Sequence, residues 1–309
     1  MAVGEIITVT RYNQMQAKVA LVYGNGSGTY GYGQTLNSSA VSTSDTVNAF
    51  HMTNLKTDMI NARVHQTGAS PTLSNVISQE DITDAVYVQY ESASTSILND
   101  AAVIFATTQA STEPKLTSDR STSWGGTSEV QSVEHHFTVT FNSEDHRRHF
   151  FNSGGEIRLA ASLTGGTGSK YTEWNGMLSA LGTIKITSNN TTADSGTSSG
   201  LGNFDLTTSY QTLLIKTGSG VYVDNDYTLK AKANGSVITI KAEFNDDAAG
   251  SGAGGHGPID ESVTGTLTSS VSQLRATGSY VEVATPIYVT TTTLAWQNCF
   301  FMLGIYKGE

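Results

Sequence analysis

The hydrophobic pattern of this 309-residue chain changes period at Val133. Before it, apolar residues recur every three to four positions. After it they alternate: Val133, His135, Phe137, Val139 and Phe141 fall on one side of an extended chain, and Glu134, His136, Thr138 and Thr140 on the other. A helical period does not sit as a strand, so the switch divides the chain into a helix-built first part and a strand-built second part. Ser and Thr make up about a quarter of the residues, with 31 glycines and only 4 prolines. That mixture suits many short strands joined by glycine turns. The expected fold is α+β, mainly β. Short amphipathic helices over 1–110 form a docking region, 111–132 is an extended linker, and 133–309 is an antiparallel sandwich-like body with a possible sub-boundary near 189–202.

Three helices are expected in the first part. Thr10 is a candidate cap for a stripe of Tyr12, Met15, Val19 and Val22 that stops at Gly24. Asn48 is a candidate cap for Met52, Leu55, Met59 and Ala62, with Gly68 as the stop. Ser78, followed by Glu80 and Asp81, marks a third start through Ile82, Ala85 and Val86. Helices this short are marginal alone, so each must pack on a neighbour or a partner.

In the body, Ser143 reads as the cap of a polar helical turn, and Ile157, Leu159, Ala161 and Leu163 as a strand face. A helix over 172–181 would use Trp174, Met177, Leu178 and Leu181, with a strand over 183–187 after it. Asn234–Gly235 reads as a hairpin turn, which would set Ala233 opposite Ser236, Ala231 opposite Ile238 and Leu229 opposite Ile240. Further strands are expected at 211–216, 262–268, 280–285 and 286–294. Residues 189–202 read as a low-complexity loop.

The composition argues against several function classes. Net charge is −10, and Arg147–Arg148 is the only adjacent basic pair, so a nucleic-acid footprint is not expected. No apolar run approaches 18 residues, so no membrane partner is expected. The opening residues lack a basic and then apolar secretory pattern, which points to assembly in the cytoplasm. The single cysteine, Cys299, lies among Phe300, Phe301 and Leu303 and reads as an inert core thiol.

Candidate chemistry is sparse, and no cofactor is expected. His146 and His149, three apart, are the histidines best placed to meet on a helical turn, the minimum a metal site needs. His135 and His136, adjacent on a strand, point to opposite faces. Asp224 and Asp226, with Asp246 and Asp247, offer oxygens suited to calcium, but no segment has the spacing of an EF-hand, and Asp is also an ordinary turn residue. The glycines of 26–31 fit a dinucleotide fingerprint by letter, but follow a helix instead of a strand. Gly196–Gly200 fits a nucleophile elbow by letter, but lies inside the low-complexity loop. Trp124, Trp174, Phe137, Phe150, Gly154 and Gly155 are expected to matter for architecture.

The block FNSEDHRRHFFNSGGEIRLAASLTG followed by WNGMLSALGTIKI resembles a module of virion structural proteins of tailed phages, particularly T4-like phages of cyanobacteria. ITVTRYNQMQAKVALVYGNGSGTYGYGQ, HMTNLKTDMINARVHQTG and VDNDYTLKAKANGSVITIKAEFNDD are similar to the same proteins. The resemblance implies a non-enzymatic virion component in a tail, neck or fibre position, with other copies of itself and other virion proteins as partners. A receptor-binding fibre contacting host surface glycans is the alternative, with the loops 189–202 and 246–258 as its tips. A polysaccharide-cleaving enzyme is a third reading, without a convergent acid–base pair to support it.

Overall fold

In a computed structural model, the described residues are 8–77, 82–105, 109–111, 116–126, 128, 130–248 and 260–295. They form five α-helices and two antiparallel six-stranded sheets, an α+β protein that is mainly β.

The helical layer comprises α1 (Val9–Val22), α2 (Ala49–Thr67) and α3 (Asp84–Asn99). α2 follows the sequence closely. Asn48 accepts from the His51 N–H and His51 answers to the Asn48 N–H, and Gly68 closes the helix at φ 74. The caps of α1 and α3 differ from expectation. Thr8, not Thr10, caps α1: its side chain accepts the Arg11 N–H. Thr83, not Ser78, caps α3; residues 78–81 lie outside the described residues. The expected stripes Tyr12–Met15–Val19–Val22 and Met52–Leu55–Met59–Ala62 are buried, and α3 adds Tyr87, Tyr90 and Ile97.

The first sheet runs β1 (Gln109–Ser111), β11 (Thr266–Ala276), β4 (Glu156–Thr164), β5 (Ile184–Ile186) and β6 (Thr191–Thr192), with β2 (Leu116–Arg120) also on β11. The second runs β12 (Ile287–Ala295), β3 (Ser132–Thr140), β10 (Val237–Asn245), β9 (Asp226–Asn234), β8 (Gln211–Thr217) and β7 (Thr197–Ser198). Their inner faces meet: His135 of β3 bonds Ser269 of β11 at 2.7 Å, and the Tyr288 hydroxyl donates to Gln273 at 2.9 Å. α4 (Glu144–Asn152), capped by Ser143, and α5 (Ser169–Leu181) complete the body.

Four expectations change. The 111–132 segment contains β2, paired with β11 from Leu116↔Val271 to Arg120↔Leu267, so it belongs to the sandwich. The 189–202 segment crosses from the first sheet, through β6, to the second, through β7; that position is a bridge between sheets. No strand forms over 280–285, where a single bridge joins Thr277 to Glu282. The hairpin turns one residue later than expected: Asn234 faces Val237, so Ala233 faces Ile238 and Leu229 faces Ala242. Gly235, at φ 55, takes the first loop position, where primed hairpin turns need positive φ. The offset between partners is two residues, an even number, so every side chain keeps its expected face.

The helical layer is tied to the body by directional contacts. The Tyr23 hydroxyl donates to the Tyr280 carbonyl at 2.8 Å, and Gln34 bonds the Glu282 backbone in both directions. Arg148 and His149 of α4 both bond the Asn25 carbonyl at 2.8 Å.

Candidate functional site: a buried lysine–aspartate centre

Alternation along β10 puts Ile238, Ile240, Ala242 and Phe244 on the buried face. The same parity carries Asp246, just past the strand, into the interior, where its side chain is fully buried. On α5, Lys170, Trp174, Met177, Leu178 and Leu181 form the inward stripe. Lys170 is therefore a lysine on an apolar face, with no exposed side-chain surface.

The two meet. Lys170 Nζ lies 2.5 Å from Asp246 Oδ2 and 2.6 Å from Asp260 Oδ1, and the Asp260 side chain is about a third exposed. Asp246 Oδ2 also accepts the Gly126 N–H at 2.8 Å, and Oδ1 accepts the Trp174 indole N–H at 3.4 Å. The Lys170 backbone N–H donates to Glu261 at 2.6 Å. Gly125, at φ 67, lets the chain pass directly against the carboxylate; a Cβ there would overlap it. Trp124 exchanges backbone bonds with Val263 at 3.2 and 2.7 Å, which fixes the Gly125–Gly126 turn over the pair.

An aromatic wall keeps the site dry. Trp124 and Trp174 pack edge to face at 4.8 Å, and Phe244 contacts both and Tyr227. Burial pushes the Asp246 carboxyl up, against the opposing pull of Lys170, Trp174 and Gly126. Burial also works to lower the Lys170 amine, but its two carboxylate partners prevail and hold it above its ordinary value. The two directions have different origins: burial dominates at Asp246, and the neighbouring carboxylates dominate at Lys170.

The weak metal-ligand candidates of the sequence, His146, His149, Asp224 and Asp226, are engaged elsewhere. His146 accepts the Asn142 N–H at Nδ1 and, as the neutral ring, donates from Nε2 to Ala284 at 2.9 Å. His149 bonds Asn25, and its ring lies flat against Gly33. Burial lowers both imidazoles. They tie α4 to two different elements instead of converging. Asp226 accepts from Thr228 at 2.5 Å and Asn245 at 3.1 Å. Asp224 lies near enough to Asp247 to help push that carboxyl up, after burial and together with Asp226. Among the described residues no three His, Cys, Asp or Glu side chains gather as a metal site, and no helix is long and apolar enough to cross a membrane.

The architectural residues fall as expected: Trp124, Trp174, Phe137 and Phe150 are buried. Gly154 stands at φ 83, and a Cβ on Gly155 would strike the Phe150 carbonyl. The sequence offered Asp246 as an oxygen ligand or a turn residue, and Lys170 and Asp260 were passed over. The parity of β10 and the stripe of α5 place each of Asp246 and Lys170 on an inward face, but not against one another.

Two surfaces remain. A cleft of about 550 Å³ opens between the helical layer and the body, lined by Tyr30, Asn152, Glu156, Asn189 and Phe204 among others. On β12, Ile287 and Val289 point outward, 62% and 52% exposed. No protein family, curated protein or solved structure matches the chain.

Proposed function

We propose that this chain is a non-enzymatic structural subunit of a tailed-phage virion, in a tail, neck or fibre position, assembled through contacts with its own copies and other virion proteins. The observation that carries this reading is the outer face of β12. Ile287 and Val289 stand side by side on the outermost strand of the second sheet. Covering what remains exposed of two such side chains is worth on the order of 1 kcal/mol each, an incentive for subunit contact. Phe50 of α2 and Val88 of α3 add exposed apolar side chains on the helical layer. The resemblance to virion proteins gives the type of assembly. The chain is expected to co-migrate with gradient-purified particles at fixed stoichiometry and to leave only when they are disassembled. Recovery solely as a free monomer would overturn the proposal.

The cleft favours a second reading, a receptor-binding role. Tyr30 and Phe204 offer ring faces, and Asn152 and Asn189 offer amides, a combination suited to a host glycan. Binding of the purified protein to host-surface polysaccharide, lost on Tyr30→Ala with Phe204→Ala, would support it. Equal binding by the variant would exclude this cleft.

A further inference from the structure

We propose that Lys170 and Asp246 join in an intramolecular isopeptide bond, with Asp260 carrying the proton. The geometry holds an amine and a carboxyl in contact, both without exposed surface, at 2.5 Å. A second carboxylate touches the same nitrogen from the solvent side at 2.6 Å. Two N–H donors, from Gly126 and Trp174, grip the oxygens of the carboxyl to be attacked. The Trp124–Trp174–Phe244 wall keeps out the water that would favour the free acid.

The step balances without any cofactor. It starts from the Lys170 ammonium, the protonated Asp246 carboxyl and the Asp260 carboxylate. Lys170 passes one proton to Asp260, and the freed lone pair on Nζ adds to Asp246 Cγ. The charge that develops on one Asp246 oxygen is met by one N–H, Gly126 at Oδ2 or Trp174 at Oδ1, and the other oxygen leaves as the hydroxyl. The C–N bond forms and the C–OH bond breaks. The hydroxyl takes a second proton from Nζ and leaves as water, and Nζ keeps the one proton of an amide. Asp260, at the surface, returns its proton to solvent. Contact between the reacting groups replaces a bimolecular encounter.

The bond would lock the start of α5 to the end of β10, 76 residues apart in the chain. Asp260, on the same amine, would remain bound to Lys170 only through its carboxylate. A subunit under mechanical load would gain from such a lock, but the chemistry stands independently of the proposed role.

Intact mass spectrometry of the full-length purified chain is the test, with denaturing electrophoresis beside it. The wild-type protein is expected to be lighter than its sequence by one water. Digestion is expected to give a branched peptide joining Lys170 to Asp246. Lys170→Arg keeps the charge and is expected at full mass, migrating more slowly when denatured. Asp260→Asn, checked for folding by circular dichroism, is expected to slow bond formation about a hundredfold. A wild-type chain at full sequence mass overturns the proposal, and so does one lost water with the linkage elsewhere.

Discussion

Two carboxylates are buried to the same degree in the two regions of this protein, and they are satisfied in opposite ways. Asp58, in α2 of the helical layer, has no exposed surface. It accepts from the Asn37 backbone and side chain at 3.0 and 2.8 Å, and from the Ser38 backbone and hydroxyl at 2.8 and 2.7 Å. Four neutral donors hold it, and it pins the connector between α1 and α2 to the helix. Asp246, in the body, faces a buried ammonium, two N–H donors and a wall of indole rings. Neutral donors from a fixed loop make an anchor with no chemistry of its own. An amine held against a carboxyl makes an anchor and also a reacting pair. The comparison shows why burial alone does not mark a functional group; the partner decides.

Acid should disturb both regions, and by the largest amount. His65 of the helical layer and His135 of the body are each pushed down to about 4, burial being the main cause. A histidine that stays neutral when folded but titrates near 6.5 when unfolded favours the folded state at neutral pH. That advantage is lost as pH falls from about 6.5 through 4, because the unfolded chain binds the proton first. At 1.36 kcal/mol per pH unit, each contributes about 3 kcal/mol, so about 6 kcal/mol should vanish between pH 7 and pH 4. Chemical denaturation at stepped pH, followed by tryptophan fluorescence and far-ultraviolet dichroism, measures it. Trp124 and Trp174 both lie in the body, so their fluorescence reports on it, and a flat stability between pH 7 and 4 would refute the assignment.

A smaller effect separates the two anchors. Asp58→Asn places an NH₂ group against donors that need an acceptor, which should cost about 1–3 kcal/mol. The loss should appear in the helical signal before the tryptophan signal. Simultaneous loss of both would mean that layer and body unfold as one unit.

Much of this was legible in the chain. The stripes of α1 and α2, the Ser143 cap of α4 and the alternation of β3 and β4 all follow from local pattern, because each element buries one face. Two-residue parity also assigned every side chain of the 227–242 hairpin to its face, although the turn itself formed around Gly235–Ser236. What was hidden is long-range. β2 lies in a Ser/Thr-rich stretch with little apolar content, and its strand character comes from pairing with β11, about 150 residues later. The crossing of 189–202 between sheets depends on where β5 and β8 already lie. For the site, sequence placed Asp246 among turn carboxylates. Its position on the inward parity of β10, and that of Lys170 on the inward stripe of α5, were readable separately. Their meeting across 76 residues was not.

The central claim is that Lys170 and Asp246 act as one unit. A double-mutant cycle with Lys170→Met and Asp246→Leu, read as unfolding free energy, tests it most directly. Lys170→Met should remove about 3–5 kcal/mol, because it strands the buried Asp246 carboxylate, and Asp246→Leu should remove less, because Asp260 still pairs the amine. The double variant should be no less stable than the worse single one, which gives a coupling of several kcal/mol. Losses that simply add would contradict the claim and leave two buried residues that happen to be neighbours.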